Sequence, residues 1–189
     1  MTRPTLIKII LAGSLIAFGI IGRLLLQDWP NIETITATAL IAGALLGWRW
    51  GAAIALIVIA GSDIFIGNNS IMIFTWSAFA LIGVGGWLLR RKASFSPKFI
   101  FQMTGLGLGA AVFFYLFTNF GVWLLFPMYP HTWAGLLACY TAAIPFFRFS
   151  LASTLIMVPI ATIGFTYLQK TLTERFSVPA KKHSAVVTK

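Results

Sequence analysis

Charged, amide and aromatic side chains that could bind a small molecule are scattered among long apolar runs of this sequence. They are Arg23, Asn31, Asp63, Asn119, Trp123, Tyr129, His131 and Arg148. Together they supply ionic groups, amide donors and acceptors, and flat rings, which fix the orientation of a ligand in a mostly apolar pocket. The set predicts a substrate-binding site, provided that the apolar elements bring the residues to one place.

Each of these residues also has a purely structural interpretation. A carboxylate near hydrocarbon is costly unless it is paired, so Asp63 is either paired with Arg23, Arg148 or His131 or is a ligand contact. The amide of Asn119 can bond a neighbouring helix as well as a ligand. The tryptophans and tyrosines are typical of the aromatic belt at a membrane surface. His131 is typical of a solvated loop, although it could also titrate near neutral pH.

The elements that carry these residues are predicted to be membrane helices. The chain is 59% hydrophobic and only 10% charged, with a mean hydropathy of +0.90. Its apolar runs of about 20 residues match the length that a helix needs to cross hydrocarbon. Neither a phosphate-binding loop nor a metal-binding spacing occurs in the sequence, so we predict neither an enzyme nor a bound cofactor or metal.

The apolar runs predict an all-α integral membrane protein with six transmembrane helices. The runs are Thr5–Leu26, Ile32–Gly47, Gly51–Gly67, Ser70–Leu89, Lys98–Phe126 and Ser150–Leu168. Between the last two, Trp133–Phe147 reaches about 22 Å as a helix, short of a hydrocarbon core of about 30 Å. We predict that it is an extra short re-entrant or interfacial helix that ends near Pro145. Residues 1–170 then form a single domain, and residues 171–189 form a flexible, basic cytoplasmic tail.

The cations lie almost entirely on one side of this arrangement. With the N-terminus in the cytoplasm, 12 of the 14 Lys and Arg residues fall on the cytoplasmic side, and only Arg23 and Arg148 fall outside. Because Lys and Arg accumulate in cytoplasmic loops, this pattern predicts a multi-pass protein of the bacterial cytoplasmic (inner) membrane with both termini cytoplasmic. Contact with the lipid bilayer, and not with nucleic acid, explains the net charge of +10.

Small residues spaced four apart predict where helices pack closely, because lipid supplies no hydrophobic force for helix association. Gly13 and Ala17 form such a ridge in the first run, and Ala39, Gly43 and Gly47 form one in the second. A ridge of this kind packs either inside its own bundle or against another membrane protein. We predict that the Gly13/Ala17 ridge contacts a partner helix.

Motifs spread over most of residues 15–168 carry a family resemblance. They are Gly22-Arg23-Leu24-Leu25 with Pro30-Asn31, the segment Ser62 to Gly67, the segment Thr118 to Trp123 with Met128-Tyr129-Pro130, and Gly135 to Phe147. They resemble an uncharacterised family of bacterial membrane proteins described as transport proteins. That family is itself similar to the substrate-binding S components of energy-coupling factor (ECF) vitamin transporters. The family pattern has an Asn and then an acid after the Phe-Phe-Arg segment, where this chain has Phe149, Ser153 and Thr154.

The resemblance implies an S-component-like bundle of six helices that binds a small vitamin or related nutrient from outside. It also implies an ECF-type transmembrane coupling protein and paired ATPases as partners. The predicted function is therefore a substrate-binding subunit, or a solitary importer, of a small vitamin-like nutrient. The alternative is a non-transporting structural subunit of a cell-envelope complex, because cell-shape membrane proteins of similar size share this general architecture.

Overall fold

The computed structural model of the protein describes residues 2–29 and 31–177, and every regular element in them is helical. The elements are α1 Arg3–Leu25, α2 Ile35–Leu46, α3 Trp48–Ile66, α4 Met72–Gly86, a 3₁₀ helix Trp87–Lys92, α5 Pro97–Leu125 and α6 Trp133–Ser177. Within the described residues, 5 helical segments are long and apolar enough to cross a membrane. The prediction of an all-α protein with the helices of a multi-pass membrane protein is therefore confirmed at this level.

Helix α2 is the centre of the bundle and differs from the other helices in length. All 12 of its residues are buried, and it touches α1, α3, α4, α5 and α6. A helix of this length rises only about 18 Å, so it does not cross a hydrocarbon core of about 30 Å. The predicted count of six spans is consequently not established, because the second apolar run forms a short buried helix and not a span of full length.

Glycines allow α2, α3 and α4 to approach each other closely. A Cβ atom on Gly43 would collide with the carbonyl oxygen of Gly83, and Gly51 and Gly83 would collide in the same way. A side chain on Gly86 would meet the carbonyl oxygen of Leu40. Small residues at such contacts let helix backbones touch, which is how helices gain packing energy where lipid provides no hydrophobic force. The α2 ridge predicted from the sequence therefore packs inside the bundle.

Helices α5 and α6 form a long antiparallel hairpin. The phenol oxygen of Tyr115 donates to the carbonyl of Tyr140 at 2.7 Å, and that of Tyr140 donates to the carbonyl of Leu116 at 2.9 Å. Helix α6 is continuous over 45 residues and contains Pro145 and Pro159. A proline removes one backbone hydrogen bond and crowds the preceding turn, but packing along α5 holds the helix on both sides of Pro145.

Two boundaries predicted from the sequence therefore change. Residues 133–147 are not a separate short helix that ends at Pro145, because they are the first part of α6. Helix α6 also continues to Ser177, so residues 171–177 are helical. Residues 178–189, where the rest of the predicted flexible tail falls, and Pro30 lie outside the described part of the chain.

The cations gather at one end of the bundle, which we call the basic end. Arg3 at the start of α1 donates to the carbonyl of Phe176 near the end of α6 at 3.1 Å, and Gly47 lies beside the guanidinium of Arg90. The described cations of this end are Arg3, Lys8, Arg49, Arg90, Arg91, Lys92, Lys98, Lys170 and Arg175. Arg23 lies at the opposite end, which we call the cavity end. The fold thus separates charge as the sequence predicts, whichever side of a membrane each end faces.

Candidate functional site

A cavity of about 330 Å³ opens at the cavity end. It exists because α2 begins deep in the bundle, so the other helices enclose space above the start of α2. Its walls reach Ile59 of α3, Phe79 of α4, Ala111 of α5 and Thr154 of α6. Ala111 is the central residue of α5, so the cavity extends about halfway along that helix. Its charged and amide-bearing lining side chains are Arg23, Gln27, Asn31, Glu33, Asp63, Asn68 and Asn69.

An ion pair between α1 and α3 forms one wall of this cavity. Arg23 Nη2 lies 2.9 Å from Asp63 Oδ1, and the Asp63 side chain is only 8% exposed. The alignment is that of an ion pair and not of a straight hydrogen bond. Asp63 Oδ2 accepts from Trp76 Nε1 at 2.9 Å and from Asn68 Nδ2 at 2.6 Å. Arg23 Nη1 also donates to Ser62 Oγ at 3.0 Å. Both carboxylate oxygens of Asp63 are thus already occupied by protein groups.

Two residues with positive φ shape the mouth of the cavity. Gly67 at φ 84 ends α3, and the chain then turns so that Asn68 reaches back to Asp63. A glycine is suited to this position because it lacks the Cβ atom that makes positive φ unfavourable. Asn31 adopts φ 60 in the loop between α1 and α2, a conformation that Asn tolerates better than most residues. Both loops therefore hold amide side chains over the cavity.

Glu33 is the lining residue that the sequence reasoning missed. Its Oε2 accepts from the backbone N–H of Thr36 at 2.9 Å, where an acid complements the positive end of helix α2. Ser153 of α6 clamps the Glu33 backbone: its hydroxyl accepts from the Glu33 N–H at 3.0 Å and donates to the Glu33 carbonyl at 3.1 Å. Burial raises the pKa of the Glu33 carboxyl. The available signal was an acid, one of only 4 in the chain, just before a mostly apolar run without charges.

A second cavity of about 210 Å³ adjoins the first and contains Asn119. The two cavities share Asn31, Phe114 and Ser150 as lining residues. The Asn119 amide donates to the carbonyl of Tyr115 on its own helix at 2.8 Å, and therefore it does not bridge two helices through this bond. The structure thus brings Asn119 close to Asn31, although the two residues come from distant parts of the sequence.

The remaining predicted residues lie apart from these two cavities. Trp123 and His131 line a third cavity of about 240 Å³ at the tip of the α5–α6 hairpin. There Trp123 Nε1 donates to the carbonyl of Pro130 at 3.0 Å, and the His131 ring meets the Trp123 ring edge-on at 5.3 Å. Tyr129 and Arg148 line none of these three cavities. The predicted set therefore divides among separate places, with Arg23, Asn31 and Asp63 together in the largest of these three.

This arrangement offers recognition groups around a cavity. Among residues 2–29 and 31–177, no cluster of three His, Cys, Asp or Glu side chains could hold a metal ion. Residues 4–178 match a family of unknown function, DUF6580. The chain belongs to the DUF6580 family. No curated protein and no solved structure matches it. Membership in DUF6580 carries no link to ECF transporters, so the chemistry of the site has to carry any functional conclusion for this DUF6580 protein.

Proposed function

We propose that this DUF6580 protein binds a small nutrient in the cavity above α2, as the substrate-binding subunit of a membrane importer or as a solitary importer. The supporting observation is the cavity itself, about 330 Å³ in volume and lined by apolar rings and amide groups. Pockets of about 300–1,000 Å³ with a few placed polar groups are typical of small-molecule sites.

The proposed orientation places the basic end in the cytoplasm and the cavity end outside. Lys and Arg accumulate on the cytoplasmic side of membrane proteins, and the described cations cluster at the basic end. Both termini then lie in the cytoplasm of a bacterial cell, on the inner side of the cytoplasmic membrane. A nutrient would enter the cavity from outside and reach about the middle of the bundle without meeting the basic end.

A partner is proposed because this chain carries no phosphate-binding loop of its own. Gly13 and Ala17 are exposed on α1, between the exposed side chains of Ile9 and Ile21. A Cβ atom added to Gly13 would meet nothing within 4 Å, so the ridge is open to a second helix. In an S-component-like assembly this ridge would contact the ECF-type coupling protein, which works with the ATPases.

The binding proposal is tested by thermal unfolding of the purified protein against water-soluble vitamins and their precursors. We expect at least one compound to raise the melting temperature, because a ligand that binds only the folded state stabilises it. Ser150→Trp, which fills the space shared by the two adjoining cavities, should abolish that shift. Phe149→Trp is the matched control, because Phe149 is 49% exposed and lines neither of these cavities. An equal shift of the melting temperature in both variants would show that the compound does not bind in the cavity.

A structural subunit of a cell-envelope complex is the second candidate, and one observation favours it. Asp63 is already occupied by Arg23, Asn68 and Trp76, as a carboxylate with a structural role would be. Photo-crosslinking from position 17 in membranes would separate the two candidates. Crosslinks to wall-synthesis or scaffold proteins would favour the structural role, whereas crosslinks to a coupling protein would favour import. The same crosslinker at Gly109, which is also exposed with open space around it, controls for chance contacts.

A further inference from the structure

We propose that the cavity above α2 selects a small organic cation, an inference that rests on the proposed binding function. The charges that line the cavity are those of Arg23, Glu33 and Asp63. They do not act equally, because two of them already neutralise each other. The charge preferred in a ligand is therefore set by the lining charge that is not neutralised by another.

The charge of Arg23 is already balanced by Asp63 and offers little attraction to an anionic ligand. One of its nitrogens pairs with Asp63 at 2.9 Å, and another donates to Ser62 at 3.0 Å. A ligand carboxylate or phosphate would have to compete with Asp63, which two further donors hold in place. Breaking a partly buried ion pair leaves an uncompensated charge, which is unfavourable. The pair therefore acts as a neutral wall of the cavity.

Glu33 is the lining charge that forms no ion pair of its own. In the part of the chain that the structure describes, the ion pairs are Arg23–Asp63 and Lys170–Glu174, and Glu33 belongs to neither. Its carboxylate accepts from the N–H of Thr36, a dipole that carries no full charge, and the charge of Arg23, which Asp63 already pairs, has the smallest effect on its pKa. Glu33 is also partly buried in the cavity lining, and this burial raises the pKa of its carboxyl. A partly buried carboxylate without an ion-pair partner is unfavourable, so a cationic ligand placed beside it would gain energy that a neutral or anionic ligand would not.

The surroundings of Glu33 reinforce this preference. Asp28 is exposed in the same loop and adds negative potential near the mouth. Arg148 of α6 is exposed and lines neither of the two adjoining cavities. The rings of Phe79 and Phe114 form apolar walls, and aromatic faces attract cations. An organic cation with a flat ring therefore fits the charge and the walls, and the volume accommodates a molecule of that kind.

Three probes of nearly the same shape test the inference: benzamidinium, benzamide and benzoate, which carry charges of +1, 0 and −1. Their dissociation constants are measured for the purified full-length protein at pH 7.5 by calorimetry or by the shift in melting temperature. We expect benzamidinium to bind at least about tenfold more tightly than benzamide, with benzoate weakest. In Glu33→Gln the ratio should fall to about one. Glu174→Gln, which removes an equal charge at the basic end, should leave the ratio unchanged.

A second variant guards against the case in which Glu33→Gln does not fold. Ser150→Lys places a cation in the cavity from α6 without altering the start of α2, and it should remove the preference for benzamidinium or reverse it. The inference is overturned if benzoate or benzamide binds as tightly as benzamidinium, or if either variant keeps the preference. It is also overturned if none of the three probes binds. Each of these failures is distinguishable from failure of the proposed function, which the vitamin screen with Ser150→Trp tests separately.

Discussion

Replacement of Asp63 by Asn should strongly destabilise the protein. The change keeps the size of the side chain, but it removes the charge that pairs with Arg23 and places an NH₂ group where donors now point. Asn can still accept from Trp76 or from Asn68, but it cannot also balance Arg23. Removing one partner of a buried pair costs about 3–5 kcal/mol. Because the Arg23 side chain is 22% exposed and water compensates part of the loss, we expect a cost of about 2–4 kcal/mol.

The matched control is the exposed pair between Lys170 and Glu174, four residues apart on α6. Its side chains are 56% and 66% exposed, and its charged atoms are 4.0 Å apart. Pairs of this kind contribute about 0.3–0.5 kcal/mol, so Glu174→Gln should cost several-fold less than Asp63→Asn. Unfolding free energies measured in one detergent provide the comparison.

A double-mutant cycle with Arg23→Gln identifies the source of the loss. The two changes together should cost clearly less than the sum of the single changes, because both remove the same interaction. Equal costs for Asp63→Asn and Glu174→Gln, or strict additivity in the cycle, would refute the conclusion that the Arg23–Asp63 pair holds α1 against α3.

Three further results are expected. Gly83→Ala should lower the free energy of unfolding by about 1–3 kcal/mol, since a methyl group there meets the α3 backbone. Gly85→Ala, two residues along the same helix with open space around it, should be neutral or slightly stabilising. Chemical unfolding compares the two variants, and equal losses would contradict the close contact. Burial raises the pKa of the Glu33 carboxyl above its ordinary 4.5. The folded protein therefore binds this proton more tightly than the unfolded chain does, so the stabilisation is fully present below about pH 4.5 and is lost as pH rises through the folded-state pKa. As pH rises from 4 to 8, the melting temperature of Glu33→Gln should therefore increase relative to that of the unchanged protein. A melting-temperature difference that stays constant over this range would contradict the prediction. Cys139, which is 2% exposed, should react with maleimide in detergent far more slowly than it does after unfolding, and equal rates would show that its site is open.

The helices were predictable because long apolar runs separated by polar turns have few alternatives in an apolar chain. The starts and ends of α1, α3 and α5 lie within a few residues of the apolar runs that predicted them. The continuity of α6 was not predictable in the same way. Pro145 favours a helix end by local chemistry, but contacts with Tyr115 and the rest of α5 outweigh that local preference. Such contacts join residues far apart in sequence, and no local pattern reports them.

The site was predicted only in part, because it too depends on contacts between residues far apart in sequence. A partner for Asp63 could be expected from the sequence, since unpaired charges near hydrocarbon are rare, but Arg23, Arg148 and His131 were all candidates; the structure places Arg23 2.9 Å from Asp63. Trp123 and His131 were grouped with them because they are polar or aromatic, yet they lie at the hairpin tip. The cavity itself could not be predicted, because it depends on how deeply α2 begins. The residue before α2 is held against α6 by the bonds between Ser153 and the Glu33 backbone, a contact between residues far apart in sequence.

Chemical labelling of one cavity position tests the central claim most directly, namely that the space above α2 is open to the outer side of a membrane. Cysteine is introduced at Ser150 or at the neighbouring Phe149 in a Cys139→Ala background, and intact cells are treated with a membrane-impermeant, positively charged methanethiosulfonate. Ser150→Cys should be modified from outside, because Ser150 lines the cavity. Phe149→Cys should stay unmodified, because Phe149 is exposed on the surface of the bundle, where lipid would cover it. Failure to label Ser150→Cys from outside, or equal labelling of both positions, would contradict the account.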